Sequence, residues 1–176
     1  MPQLPENYTL HSARGLDALA PRTLHDIARL RQEVFVVEQD CVYLDLDGRD
    51  AEAATEQFWI AVSPASPEPS AEHTPHTPRT ASTVAATLRV LDESAREPGL
   101  HAVGRVVTGV AHRGKALAAA LMEEVVAQHG AAPLVLEAQS HLTDWYGRFG
   151  FAVSGAEYLE DDIPHTPMRR EPSAAA

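Results

Sequence analysis

Cysteine occurs once in the 176-residue chain, at Cys41. A lone thiol forms no internal disulfide and builds no cysteine-based zinc cluster. With no histidine beside it in sequence, Cys41 reads as a buried or bystander thiol rather than a nucleophile. Lysine is equally scarce, with Lys115 alone among the 14 Lys and Arg residues. Basic residues are outnumbered by 25 Asp and Glu, giving a formal net charge of −11. Nucleic-acid binding by counterion release needs a basic face, so a nucleic-acid partner is excluded, whereas a small anion held by a local basic loop is not. No apolar run is long enough to span a bilayer, and the opening MPQLPENYTL has no basic region followed by an apolar stretch. The expectation is a cytoplasmic protein with no membrane partner.

The length suits one domain, 1–176, with room for a proper core. It is organised around Val103 to Ala127, VGRVVTGVAHRGKALAAALMEEVVA. Val103, Val106, Val107 and Val110 form a strand-like run that passes through His112-Arg113-Gly114-Lys115 into a helix. Such a turn presents unpaired N–H groups and the positive end of a helix dipole, which favour phosphate oxygens. Gly114 lets a ligand approach the backbone, and Arg113 and Lys115 add charge.

Before this stretch, Tyr8 to His11 is a short strand candidate. Leu24, Ile27, Ala28, Leu30, Val34 and Phe35 recur at helical spacing, with Thr23 as N-cap and an end near Val36. The acidic segment after it carries Glu38, Asp40, Asp45, Asp47, Asp50, Glu52 and Glu56. A calcium loop starting at Asp45 fails, because Gly48 comes too early and Asp50 stands where the sharp turn needs Gly. Gln57 to Val62 and Thr83 to Leu91 read as strands. Between them a segment rich in Pro, Ser, Thr and His, 63–80, reads as a flexible excursion whose His73 and His76 are bystanders. The central helix shows an apolar stripe of Leu117, Leu121 and Val125, and Gly130 suits a left-handed C-cap. Pro133 to Ala138 reads as a strand covered on both faces, followed by a helix from about Thr143 to Gly150 and a last strand, Phe151 to Gly155. The tail from 171 is expected to fray.

The turn at Ala111, Gly114 and Ala116 resembles the coenzyme A pyrophosphate loop of GNAT N-acetyltransferases, departing from it at Ala111, where the family has Gln or Arg. Tyr146-x-x-x-Gly150-Phe151 is the second match, in the family's order and separation. A narrower resemblance is to the ElaA-like branch. It is carried by Arg31 to Cys41, Tyr43, Asp45, Asp47, Gln139, His141 and Tyr158 to His165. The resemblance implies an α/β (α+β) fold with a mixed, mostly antiparallel sheet of about six or seven strands flanked by about four helices. It implies transfer of an acetyl group from acetyl-CoA directly to an amine, small-molecule or peptide, by a monomer or homodimer. Backbone at Val106, Val107 and Thr108 would pair with the pantetheine arm, and Ala111, His112, Arg113, Gly114, Lys115 and Ala116 would hold the pyrophosphate. Tyr146 would face the sulfur as general acid. The proton acceptor is left open among Glu33, Glu38, Glu137 and His141, and Glu38, Asp45 and Asp47 would attract a cationic acceptor. A non-catalytic acyl-CoA binding or sensing module would keep the loop yet have no need of Tyr146.

Overall fold

The computed structural model describes residues 4–63 and 84–173. In chain order the strands are β1 (Tyr8–Arg14), β2 (Glu56–Val62), β3 (Val84–Asp92), β4 (His101–Thr108), β5 (Leu134–Gln139), β6 (Ala152–Val153), β7 (Tyr158–Glu160) and β8 (Ile163–Arg170). The helices are α1 (Pro21–Arg31), α2 (Leu117–His129) and α3 (Thr143–Gly147). Together the strands make one eight-stranded sheet in the order β1-β2-β3-β4-β5-β8-β6, with β7 also paired to β8. Every pairing is antiparallel except β4 with β5. The expected mixed, mostly antiparallel architecture is present, with eight strands and three α-helices among the described residues. No helix of the described residues is long and apolar enough to cross a membrane.

β3 is the centre of the core because both of its faces are covered, and every residue from Val84 to Leu91 is buried. α2 packs on one face through Leu117, Leu121, Met122 and Val125, against Phe58, Leu88, Val90 and Leu136. α1 packs on the other through Ile27 and Leu30, against Val84 and Val107. Burial of these apolar side chains, each about 1.5–3 kcal/mol, fixes which faces the two helices turn inward.

Several elements differ from the sequence expectation. α1 starts at Pro21 with Ala20 as N-cap, three residues before the expected cap Thr23, since Pro is pre-organised for the first helical position. It continues as a π-helical stretch, Gln32–Glu38, past the expected end at Val36. Gly130 has φ −66°, so the C-cap of α2 is right-handed. α3 is a single short helix ending at Gly147, and the β7–β8 hairpin was not anticipated. Ser173 donates its N–H to the Gly130 carbonyl at 2.9 Å, which ties the start of the tail down as far as that residue. The 63–80 excursion and its histidines lie, Ser63 apart, outside the described residues.

Two features of β4 shape the site. Val107 opposes Thr87 and Gly104 opposes Arg89, so β4 carries one extra residue in between. That is a β-bulge, and Arg105 sits in it at φ 54°, a conformation a non-glycine side chain adopts only at a cost. On its other edge β4 pairs with β5 only at His101 and Ala102. Beyond Ala102 the two parallel strands separate, leaving a wedge-shaped opening in the sheet.

Candidate active site

Two concavities flank α3. The first is a groove of about 570 Å³ lined by Thr108, His112, Arg113, Gly114 and Ala116, the first turn of α2, and Trp145, Arg148 and Phe149. The second, of about 400 Å³, occupies the β4–β5 wedge, with Val103 to Val106 on one wall and Leu136, Glu137, Gln139 and Tyr146 on the other. α3 therefore stands between them, giving Trp145 to the groove and Tyr146 to the cavity.

The groove has the chemistry of an anion site. Ala116 is the N-cap of α2 and offers no side-chain acceptor. The first hydrogen bond of the helix runs from the Ala120 N–H to the Ala116 carbonyl. The N–H groups of Leu117, Ala118 and Ala119 accordingly have no acceptor among the described residues, and α2 adds its positive dipole end. Gly114 adopts φ +76°, and a Cβ there would meet nothing within 4 Å, so the loop is open on its ligand side.

Charged side chains frame this loop. Arg113 is held by Glu38 through two hydrogen bonds of 2.7 Å, and this contact draws the Glu38 carboxyl below its ordinary pKa. Lys115 is exposed, its Nζ donating to the Ala111 carbonyl at 3.2 Å, and neither Lys115 nor Ala111 lines the groove. His112 shares a 2.9 Å hydrogen bond with the Tyr8 hydroxyl, and burial followed by the charge of Lys115 lowers its pKa. Among the residues expected to follow the pantetheine arm, Thr108 lines the groove, Val106 lines the cavity, and Val107 is buried in the α1 core. The open turn, the free N–H groups of α2 and Arg113 thus form a donor set that phosphate oxygens would fit.

Tyr146 is 7% exposed, and its hydroxyl forms no hydrogen bond among the described residues. Burial alone pushes its pKa up to about 12. Its ring is fixed edge-on by Trp145 at 4.8 Å and by Phe151 at 6.4 Å.

Of the four proton-acceptor candidates, Glu137 alone lines the cavity. Its Oε2 accepts from the Tyr158 hydroxyl at 3.2 Å. His141 is exposed on the 3₁₀ turn after β5, away from the cavity wall, and Glu33 pairs with Arg29 on the surface. His165, near the end of the segment that carries the ElaA-like resemblance, also lines the cavity. Its Nδ1 donates to the Ile163 carbonyl at 2.9 Å, which leaves Nε2 with a lone pair in the neutral ring.

Asp45 and Asp47 do not line the cavity, and both are taken up by arginines. Asp45 is buried and bonded to Arg31 at 2.9 Å, with Arg105 Nε a further 2.9 Å from its other oxygen. Asp47 takes two 2.7 Å hydrogen bonds from Arg89, which hold its pKa at about 2. Asp50 completes the cluster through Arg31, Arg89 and Gln57, and the arginines outweigh its burial to leave its pKa lowered. These carboxylates neutralise three arginines and fasten the 39–50 segment over the wedge. The signal for this was legible in Arg89, a charge inside an otherwise buried strand, which demands a carboxylate partner.

The class of protein, an acyltransferase, is defined by the fold together with the family and relatives that share it. Residues 81–172, more than half of the chain, match the acetyltransferase (GNAT) domain family, to which this chain belongs. Within it the chain is ElaA-like, an acyltransferase at least 30% identical to several relatives over most of its length. It is 38% identical over 158 residues to a UPF0039 protein of Mycobacterium tuberculosis, covering 90% of this chain and 88% of that one. It is 32% identical over 158 residues to the Escherichia coli protein ElaA, covering 87% and 90%. The crystal structure of an acyl-CoA N-acyltransferase from Pseudomonas aeruginosa superposes with a TM-score of 0.74 at 35% identity, covering 93% of this chain and 99% of that one. Crystalline E. coli ElaA superposes with a TM-score of 0.75 over 93% and 99% of the two chains.

Proposed function

We propose that this acyltransferase moves an acetyl group from acetyl-CoA to the nitrogen of an amine, by direct attack within a ternary complex. The observation that carries the reading is the position of Tyr146, whose unpartnered hydroxyl lies at the cavity face of the helix that also walls the groove. When bound, acetyl-CoA supplies an acetyl thioester whose carbonyl is open to attack.

The chain's own residues have three tasks. The N–H groups of Leu117 to Ala119 and the open Gly114 turn hold the phosphates, aided by Arg113 once its pairing with Glu38 is exchanged for phosphate. The unpaired edge of β4, Val106 to Thr108, orients the arm so that the reacting carbon lies in the wedge. Tyr146 donates its phenolic proton toward the departing sulfur.

An amine attacks only when neutral, so a group in the cavity takes its proton. Glu137 is the residue we assign, directly or through one water, with the His165 Nε2 lone pair next in reach of the same space. Glu38 moves from acceptor binding to the donor loop, and Asp45 and Asp47 from acceptor binding to holding the segment above it.

The test couples two readouts. Acetyl-CoA should raise the melting temperature by mass action, and thiol should be released when amines are added. Unchanged melting at millimolar acetyl-CoA, or no thiol release across a panel of monoamines, diamines and amino-terminal peptides, would overturn the proposal.

A further inference from the structure

The charges around the cavity are unevenly matched. Its two arginines, Arg89 and Arg105, are paired with Asp45, Asp47 and Asp50. Its remaining carboxylates are Glu137, Glu160 and Asp161, and no lysine, arginine or histidine among the described residues forms an ion pair with any of them.

Strand register brings these groups onto one face. Glu137 opposes Pro167 and Gln139 opposes His165, while across β8 Tyr158 opposes His165 and Glu160 opposes Ile163. Directly opposed residues project to the same side of a sheet. Tyr158 donates to Glu137 at 3.2 Å, and Glu160 stands two residues along the same face of β7. The one phenolic proton goes to Glu137, so the Glu160 carboxylate has no hydrogen-bond donor or ion-pair partner among the described residues. Burial first, then Glu137 and Glu160, raise the pKa of Tyr158. Asp161 follows at the hairpin tip, at φ 49°. Its charge and that of Glu160 extend to Cys41 on the far wall, where burial first and then Asp161, Asp40 and Glu160 raise the thiol's pKa.

A separate feature shows that the same space is built for a ligand. Tyr146, more than nine-tenths buried, lines it with a hydroxyl that no described residue satisfies.

We propose that the acceptor is a dication, a diamine or polyamine, with its reacting nitrogen at the Tyr146 end and a second ammonium held by Glu160 and Asp161 of the β7–β8 hairpin. The reaction it undergoes rests on the acetyl transfer proposed above, whereas its binding does not. A monoamine leaves the hairpin carboxylates unmatched. An amino acid with a free carboxylate would bring a like charge to them.

The experiment is calorimetric titration of 1,4-diaminobutane and of butylamine into the full chain saturated with coenzyme A. Wild type, Glu160→Gln, Asp161→Asn and the double variant are compared, Asn being at ease at positive φ. The expected result is at least tenfold tighter binding of the diamine in wild type, lost in the double variant and at high salt, with coenzyme A affinity unchanged. Equal binding of the two amines, no binding of either at millimolar concentration, or a preference retained in the double variant would overturn the proposal. Should Glu160→Gln fail to fold, a preference undiminished in Asp161→Asn has the same force.

Thiol release separates this inference from the reaction. Diamine binding that depends on Glu160 and Asp161 without thiol release would overturn acetyl transfer and leave the dication site standing. Turnover of butylamine and diamine alike would overturn the dication site and leave acetyl transfer standing.

Discussion

The Tyr146 hydroxyl stays protonated far above neutrality because the ring is buried and no charge lies near enough to stabilise a phenolate. A pKa of about 12 lies roughly 3.5 units above that of an ordinary thiol, so complete proton transfer to a solvated thiolate would be uphill by roughly 5 kcal/mol. A thiolate forming in the same apolar space is itself destabilised, which narrows the gap and favours a hydrogen bond that strengthens as charge develops on sulfur. Tyr146→Phe keeps the ring packing and removes the proton. We expect kcat to fall about 10²- to 10⁴-fold with the KM for acetyl-CoA little changed, measured by initial rates where chemistry limits turnover. Unchanged turnover would leave Tyr146 as a core residue.

Arg31 makes the converse case, a charge with no catalytic task. At 1% exposure it bonds Asp45 and Asp50, and replacing it with Ala leaves both carboxylates buried without their main partner. The expected loss is about 3–5 kcal/mol, a drop in Tm of roughly 10 °C at this chain length, measured by calorimetry. A drop below about 2 °C would contradict the assignment. Asp45 and Asp47 resisted reading from sequence because an exposed acidic loop and one folded over buried arginines have the same composition. Only their partners, 14 to 60 residues away in the chain, tell the two apart.

The α2 N-terminus is the element on which donor binding depends. Gly114→Glu should abolish the melting shift produced by acetyl-CoA, because it sets a carboxylate where the helix end attracts phosphate and imposes a side chain at φ +76°. A full shift retained in this variant would move the phosphate site elsewhere. This strand-turn-helix was legible because its signal is local: an apolar run, a Gly-centred turn and an amphipathic helix in immediate succession. β8 was illegible for the opposite reason. Pro164 and Pro167 break the usual pattern of a paired strand, yet both are accommodated, Pro164 opposite Leu159 of β7 and Pro167 opposite Glu137 of β5. Missing that hairpin also hid Glu160 and Asp161 as cavity residues. α1 was legible by its period, but its conversion to a π-helix, which carries Phe35 to the cavity wall, is a tertiary outcome with no local signal.

Across the whole molecule, the cavity exists because β4 and β5 are parallel neighbours that pair at one end only, and the arginine–aspartate cluster holds the 39–50 segment across that opening. Acid should therefore act on the site and the fold together. Asp47, at about 2, and Asp50 titrate below their unfolded values, so their stabilisation is complete above the ordinary carboxylate pKa near 4 and is lost as pH falls toward 2. Thermal melts between pH 7 and pH 2 should be nearly flat down to about pH 5 and then decline, and Asp47→Asn should flatten part of that decline. Equal acid sensitivity in the variant would remove Asp47 from the account.

The measurement that bears most directly on acyl transfer to an amine is mass analysis of products after incubation with acetyl-CoA carrying an isotopic label in its acetyl group and 1,4-diaminobutane. The account predicts one labelled acetyl on the diamine nitrogen for each free coenzyme A formed, strongly reduced in Tyr146→Phe and absent in Gly114→Glu. Label appearing only as free acetate, or an acetylated amine formed equally well by the Gly114→Glu chain, would contradict it.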